Sequence, residues 1–399
     1  MNIFKKIYYR TYQGIMRCMI PFMPYREPKI LDSVEDISKI LKEKGINSVI
    51  IVTDANLSKI GLYSPLTENL DANNIHYVVY DKTVPNPTIA NIEEALDVYK
   101  SEHCNAIIAF GGGSSIDCAK GLGARLARPK KSVKQMKGLL KVRKKLPLLI
   151  AVPTTAGTGS ETTVAAVITD EKSHYKYAIN DFCLIPEYAV LDPKLTIGLP
   201  KGVTSTTGID ALTHAIEAYV GRSTTKRTKT LALQAIKTIL ENIKEVYDNP
   251  TNLSSRRDML YASYKAGIAF TISYVGYVHA IAHSLGGKYG IAHGYANAII
   301  LPYVLEYFDK SIYKKAKKIC VYSGLAKETD TPEFCFKKLI STIKEYNAYM
   351  NIPEHIPEIK EEDIPALVTN ALKEANPLYP VPRLAGRKEL TELYRQIKG

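Results

Sequence analysis

Four imidazoles and one carboxylate stand in two short windows of this 399-residue chain. Asp210 and His214 are four residues apart in Gly208-Ile209-Asp210-Ala211-Leu212-Thr213-His214, and His279 and His283 repeat that spacing in Val278-His279-Ala280-Ile281-Ala282-His283. In such Ala- and Leu-rich surroundings each pair projects from one helix face, about a turn apart. His293 follows Gly286-Gly287-Lys288-Tyr289-Gly290, a glycine-rich turn that can bring the chain back across the same place. One histidine on an apolar helix face is ordinarily a hydrogen-bonded core residue. Three of the eight histidines within fifteen residues, together with Asp210, are the inventory of a divalent metal site. Imidazole with one carboxylate suits Fe(II), Zn(II), Co(II) or Ni(II), and no thiolate lies nearby to demand a softer ion. Spacing leaves open which of the five donors are ligands. A set of four leaves room for a substrate oxygen.

The chain is long enough for two domains with substantial cores, and its 46% apolar content is that of a globular protein. Cys18, Cys104, Cys118, Cys183, Cys320 and Cys335 form no CxxC pair, which points to reduced thiols in a cytoplasmic protein rather than a disulfide framework. The net charge of +13 raises nucleic acid as a partner, but much of it is local. Between positions 121 and 150 there are basic residues and no acidic one, with no interleaved aromatics to stack bases. This run reads as a solvated helix and loop, and nucleic acid is excluded. Residues 1–27 form a basic extension in which Phe4, Ile7, Tyr8, Tyr12, Ile15, Met16, Met19 and Met23 recur at helical spacing. Lys5, Lys6, Arg10 and Arg17 interrupt every apolar run before it reaches signal-peptide or membrane-spanning length. The expectation is a helix docked on the protein's own body or on a partner subunit, with contact to an anionic membrane surface as the alternative.

From position 28 to 195, β-branched runs alternate with helical stretches, the pattern of a parallel sheet with covering helices. Strands are expected at 47–53, 75–80, 106–110 and 148–152, helices at 89–101 and 115–127, and a turn at Pro85-Asn86-Pro87. Residues 196–399 change to long Ala-, Leu- and Lys-rich segments, with helices expected at 209–220, 226–247, 255–271, 275–286, 296–307, 311–324 and 331–349. Strand 106–110 runs into Gly111-Gly112-Gly113-Ser114-Ser115, and a glycine-rich turn opening a helix lets backbone N–H groups approach a pyrophosphate. It is neither GxGxxG nor a Walker A loop. Strand 148–152 opens into the hydroxyl-rich Pro153-Thr154-Thr155-Ala156-Gly157-Thr158-Gly159-Ser160-Glu161. Asp54 ends strand 47–53, where an acid accepts from an adenosine ribose hydroxyl and repels a 2′-phosphate. Together these point to a dinucleotide.

GGGSSIDCAK (111–120), PTTAGTGSE (153–161), GIDALTHAIEAY (208–219) and HAIAHSLGGKYGIAHGYANAIILP (279–302), in this order, resemble the iron-containing (group III) alcohol dehydrogenases over roughly residues 45–385. The resemblance implies an α/β N-terminal dinucleotide-binding domain with a parallel, Rossmann-like sheet, and an all-α C-terminal metal-binding domain. It places the metal ligands on Asp210, His214, His279 and His293, and makes His283 a catalytic residue near nicotinamide and substrate. Gly111, Gly112, Gly113, Ser114 and Ser115 would bind pyrophosphate, and Thr154, Thr155 and Thr158 would flank the nicotinamide half. Lys176 would lie near the cofactor ribose, Asn86 and Pro87 would border the adenosine side, and Asp54 would select NAD. Two departures stand out: Lys29-Ile30-Leu31-Asp32-Ser33 lacks the Gly-x-Gly turn of the family's first hairpin, and Ala292 stands where a Pro commonly precedes the last ligand.

The implied reaction is reversible hydride transfer between a primary alcohol or short aldehyde and NAD, with the substrate oxygen on Fe(II) and His283 relaying the alcohol proton. NAD is expected ahead of NADP, Fe(II) ahead of Zn(II), and a homodimer is what the family suggests. A Zn-dependent glycerol or polyol dehydrogenase is the nearest alternative. A dehydroquinate-synthase-like lyase would need several basic residues around 208–219 and 275–297, where only Lys288 is found. Ile272, Tyr274 and Tyr277 suggest an apolar or aromatic-walled pocket on the helical side.

Overall fold

The computed structural model of the chain describes residues 1–171 and 175–399. It divides into two compact units: Pro24–Gly198, and Met1–Met23 together with Leu199–Gly399. The first helix, α1 (Ile3–Met19), therefore belongs with the C-terminal half of the chain.

In the Pro24–Gly198 unit the chain runs β1 (Lys29–Leu31), α2 (Asp36–Glu43), β2 (Ser48–Val52), α3 (Ala55–Lys59), α4 (Ser64–Ala72), β3 (His76–Tyr80), α5 (Ile89–Ser101), β4 (Ala106–Gly111) and α6 (Gly113–Ala127). It continues through β5 (Gly138–Leu139), β6 (Leu148–Pro153), β7 (Ala165–Asp170), β8 (Tyr175–Asn180) and β9 (Tyr188–Val190). Six strands form one sheet in the order β1-β9-β6-β4-β2-β3, every neighbouring pair parallel. All of β2 is buried because the sheet is covered on both faces. Ile50 and Val52 enter one core with Ile107, Ile116 and Leu122, while Val49 and Ile51 enter the other with Ile37, Leu66 and Ile108. At about 1.5–3 kcal/mol per fully buried side chain, these two cores hold the sheet in register. Because β2, β4 and β6 are adjacent and parallel, Asp54, Gly111 and Thr154 all emerge at the same carboxyl edge. That edge is where open α/β sheets bind dinucleotides.

This unit departs from the sequence reading at several points. Lys29–Leu31 makes no hairpin: it is an edge strand pairing parallel with β9, so the missing Gly-x-Gly turn costs the sheet nothing. A second sheet, β5-β8-β7, with β7 and β8 antiparallel, was not anticipated. The basic run is partly structural, since Arg125 forks onto Glu93 at 2.6 and 3.1 Å.

The other unit is built from α1 with α7 (Lys201–Val220), α8 (Lys226–Asp248), α9 (Leu253–Ser273), α10 (Tyr277–Tyr289), α11 (His293–Phe308), α12 (Tyr313–Tyr322), α13 (Pro332–Tyr349), α14 (Ile364–Ala375) and α15 (Arg387–Lys398). α7 begins well before position 209. Its first turns hold Thr206 and Thr207, whose hydroxyls bond back to Gly202 O and Val203 O at 2.7 Å and so do not compete with the helix. The glycine-rich stretch before His293 is not a turn over its length. Gly286 and Gly287 lie inside α10, and only Gly290, at φ +69°, reverses the chain. α1 is tied down by polar groups: Arg10 donates to Val381 O (2.7 Å) and Pro382 O (2.9 Å), and Gln13 to Pro377 O (3.2 Å) and Tyr379 O (2.8 Å).

Candidate active site

Asp210, His214 and Glu217 recur along α7 at intervals of four and three residues, so they share one stripe of the helix. α10 carries His279 two residues after its start, and α11 opens on His293. One ligand atom from each of Asp210, His214, His279 and His293 lies within 4.8 Å of the other three. Donors at ~2.2 Å from one ion are ~3.6 Å apart in a tetrahedron and ~4.4 Å apart when opposite, so the four atoms are within about an ångström of a coordination sphere. Asp210, His214 and His279 are buried, and His293 is partly open.

Close helix packing sets this geometry. A Cβ on Gly294 would stand 2.6 Å from Thr206 O, so α11 meets α7 at a distance only glycine permits, directly beside His293 and Asp210. Ala292, at the cap position, has φ −60°, a value Pro shares, so the absent Pro leaves the approach to His293 unchanged. His214 stacks on Phe270, ring centroids 4.1 Å apart and 16° between planes. The Asn297 amide nitrogen lies 2.6 Å from Asp210 Oδ1, 3.0 Å from His293 Nε2 and 3.3 Å from His279 Nε2. Asp210 Oδ1 and two ring nitrogens thus converge on one amide nitrogen, an arrangement of donor atoms that a cation also requires.

Glu217 fixes which nitrogen His279 offers. Its fully buried carboxylate accepts from Gly276 N and Val278 N, both at 2.8 Å, and from His279 Nδ1 at 2.6 Å. Nδ1 therefore carries the proton and Nε2 presents its lone pair. Burial pushes the Glu217 carboxyl up to about 7 against the pull of the backbone N–H groups of Gly276, Val278 and His279. His279 is held well below its ordinary range, first by burial and then by His214, His293 and His283. It stays a neutral imidazole, as a ligand must. The donor set, its burial and its convergence fit a divalent ion.

His283 stands beside the quartet rather than in it, its ring stacked on His293 at 5.0 Å and 22°. Its Nδ1 bonds to Glu374 Oε1 at 2.6 Å, and the same oxygen accepts from the Tyr379 hydroxyl at 2.8 Å. Burial alone would raise the Glu374 carboxyl, but His283 and the Tyr379 hydroxyl hold it below the usual range. Tyr277, expected at a pocket wall, is a core residue with no exposure, its hydroxyl accepting from Ala385 N at 2.8 Å.

In the Pro24–Gly198 unit, Gly112 caps α6 without any side-chain acceptor, leaving the first N–H groups of the helix open. A Cβ on Gly111 would meet Ser115 Oγ at 2.5 Å, and one on Gly113 would meet Thr158 at 3.0 Å. The glycine turn and the Thr154–Ser160 loop are therefore nested as closely as backbone allows. Asn86, at φ +60°, donates from its N–H to Ser114 Oγ at 3.3 Å and accepts from Lys176 Nζ at 2.7 Å, so these three stand together. Asp54 uses Oδ1 to cap α3, accepting from Asn56 N (3.0 Å) and Leu57 N (3.2 Å).

The sequence reading missed the residues that brace this loop. Lys120, fully buried, donates to Ser160 O (2.6 Å), Thr163 Oγ1 (2.7 Å), Thr163 O (2.9 Å) and Ala165 O (2.9 Å). Asp117 accepts from Ser160 Oγ at 2.8 Å and Val167 N at 3.0 Å. Buried Glu161 beside them has its carboxyl pushed up to about 7 by burial. Also missed were Glu217, Phe270, Asn297 and Glu374. Glu217 left a signal in its place on the stripe of Asp210 and His214, and Asn297 left one in standing four residues after His293.

Residues 31–193 match the iron-containing alcohol dehydrogenase pattern, and residues 204–398 match the C-terminal part of the Fe-containing alcohol dehydrogenase family. The chain is 35% identical to the 1,3-propanediol dehydrogenase of Citrobacter freundii over 382 residues, 95% of this chain and 97% of that protein. It is 34% identical to the NAD-dependent methanol dehydrogenase of Bacillus methanolicus over 368 residues, 91% of this chain and 95% of that one. Its fold superposes on the alcohol dehydrogenase from Oenococcus oeni with a TM-score of 0.89 at 33% identity, covering 94% of this chain and 100% of that chain. With two domain patterns in sequence and a relative matching 95% of its length, the chain belongs to the iron-containing alcohol dehydrogenase family and is an oxidoreductase of the alcohol dehydrogenase type.

Proposed function

We propose that this enzyme transfers hydride reversibly between a short primary alcohol and NAD, with Fe(II) held by Asp210, His214, His279 and His293. The observation that carries the reading is the buried convergence of these four side chains, with Glu217 fixing His279 in the ligating tautomer. A divalent ion there supplies Lewis acidity, lowering the pKa of the alcohol oxygen. The oxidation moves the carbinol hydride to nicotinamide C4 and releases the hydroxyl proton, giving aldehyde, NADH and H⁺. His283 Nε2 is the acceptor for that proton, because Glu374 occupies Nδ1 and the side chain remains partly open to water. Gly111–Ser115 and the N-terminus of α6 hold the pyrophosphate, Thr154, Thr155 and Thr158 flank the nicotinamide half, Lys176 and Asn86 meet the ribose side, and Asp54 disfavours a 2′-phosphate. The relatives' names, propanediol and methanol dehydrogenase, support a small alcohol.

The test is an anaerobic assay with short alcohols and aldehydes, NAD and NADP, and added Fe(II) or Zn(II). Nicotinamide absorbance is expected to change most with NAD and Fe(II), and no change with any metal overturns the reading. His279→Ala and His293→Ala should lose bound metal, whereas His283→Ala should keep metal and lose turnover. Metal loss in the His283 variant would assign the ligands differently.

A further inference from the structure

Helix α1 shows an unusual distribution of side chains. Seven of the seventeen exposed large apolar side chains among the described residues lie in the first 22 positions: Ile3, Phe4, Ile7, Tyr8, Ile15, Met19 and Phe22. Phe4 is 77% exposed and Phe22 78%. At 100° per residue, the half-buried and buried residues Tyr9, Tyr12, Gln13, Met16 and Ile20 fall on one side, facing the segment that Arg10 and Gln13 grip. Phe4, Ile7, Tyr8, Ile15 and Met19 fall on the opposite side, an outward apolar arc about 25 Å long. Exposed Lys5 borders this arc on one flank, and exposed Lys6 and Arg17 border it on the other. No acidic residue occurs before Glu27.

The neighbourhood adds more positive charge. Burial pushes the Lys315 ammonium down to about 8, with further repulsion from Lys229, Arg222 and Arg17. Arg10 is lowered to about 10 by burial and then by Arg222. Arg222 and Lys229 are exposed. Cations are thus gathered beside the helix at mutual cost, which an anionic partner relieves.

We propose that the outward face of α1 lies on an anionic lipid surface, its apolar arc among the acyl chains and its flanking cations at the phosphates. An apolar arc bordered on both sides by Lys and Arg is the composition of an interfacial helix, and long basic side chains reach from such an arc to the headgroups. A second copy of the chain fits less well. A two-fold contact would set the arc against itself and bring Lys5, Lys6 and Arg17 of both copies together with no acid on either helix. No single helix among the described residues is long and apolar enough to cross a membrane, and α1 itself is interrupted by Lys5, Lys6, Arg10 and Arg17.

The chain contains no tryptophan, so Phe4→Trp installs a single reporter on the arc. Its emission is expected to shift to the blue with phosphatidylcholine–phosphatidylglycerol vesicles and to be quenched by brominated acyl chains, with little response to phosphatidylcholine alone. Ile60→Trp, exposed in the other unit, should not respond. Replacing Lys5, Lys6 and Arg17 by Gln should weaken vesicle affinity about fivefold per residue, roughly 100-fold together. Replacing Phe4, Ile15 and Phe22 by Gln should abolish binding while leaving turnover in solution unchanged. The proposal is overturned by an absent shift, by an equal shift on neutral vesicles, or by an equal response of Ile60→Trp. A blue shift that grows with protein concentration in the absence of vesicles also overturns it, assigning the face to contact between copies.

Discussion

Exchanging Glu217 for glutamine tests whether the tautomer of His279 governs metal binding. The substitution preserves volume and changes one oxygen into a donor. If the amide oxygen takes the place of Oε2, it keeps Gly276 N–H and His279 Nδ1–H, but the new NH₂ faces Val278 N–H. If the amide turns over, the NH₂ faces Gly276 N–H and donates to His279 Nδ1, moving the ring proton to Nε2 and removing the lone pair aimed at the quartet. Either orientation leaves one buried donor unsatisfied, at about 1–3 kcal/mol. Both also withdraw the negative charge that makes the imidazole a strong ligand. Loss of such a supporting carboxylate lowers metal affinity by about 10- to 100-fold. The assay is metal content after anaerobic purification, with affinity measured against a competing chelator and the fold followed by circular dichroism. The expected result is a helical, folded protein with weakened metal. A folded Glu217→Gln protein that keeps its metal affinity to within about twofold, well short of that loss, refutes the reasoning.

Asp54→Asn should separate two roles, since asparagine caps α3 as well as aspartate does: Tm should change little while the NADP-to-NAD activity ratio rises, and an unchanged ratio removes Asp54 from cofactor choice. Glu161 has a folded-state carboxyl near 7, above its usual value, so its contribution to stability is full below about pH 4.5 and is lost as pH rises through 7. Glu161→Gln should therefore stabilise the protein at pH 8 relative to pH 5 by up to about 3 kcal/mol, and parallel denaturation midpoints at the two pH values would contradict this. Gly294→Ala places a Cβ against Thr206 O and should cost about 1–3 kcal/mol while displacing His293. Calorimetry and metal content should fall together, and normal values for both would mean that α11 can shift freely.

The sequence announced the parts of this molecule whose signal is local. Runs such as Val49–Val52 and Ala106–Phe110 are apolar throughout because the sheet is buried on both faces, and they were readable as strands. The metal donors were readable because α7 and α10 each present two of them or their neighbours a turn apart. Glu374 was not, since it meets His283 from 91 residues away and has no spacing to betray it. Lys120 sat in a recognised motif, but its four acceptors lie on a loop whose path only tertiary structure defines. The threonines opening α7 concealed a helix because their hydroxyls find carbonyls one turn back. In α1 the period was plain, but not which side faces inward: the docked side is won by Arg10 and Gln13 through distant backbone carbonyls.

Those carbonyls carry a consequence for biosynthesis. Arg10 and its acceptors are 371 and 372 residues apart, so α1 emerges from the ribosome long before the segment it grips exists. At about 5–20 residues per second the wait is roughly 20–70 s, long enough for the Pro24–Gly198 unit to fold in the meantime. Throughout that interval the four hydrogen bonds that tie the helix to Pro377–Pro382 are missing. A chain halted after Ala375 would already contain every proposed metal donor, Glu217 and Glu374, yet its first helix would have no carbonyl to hold.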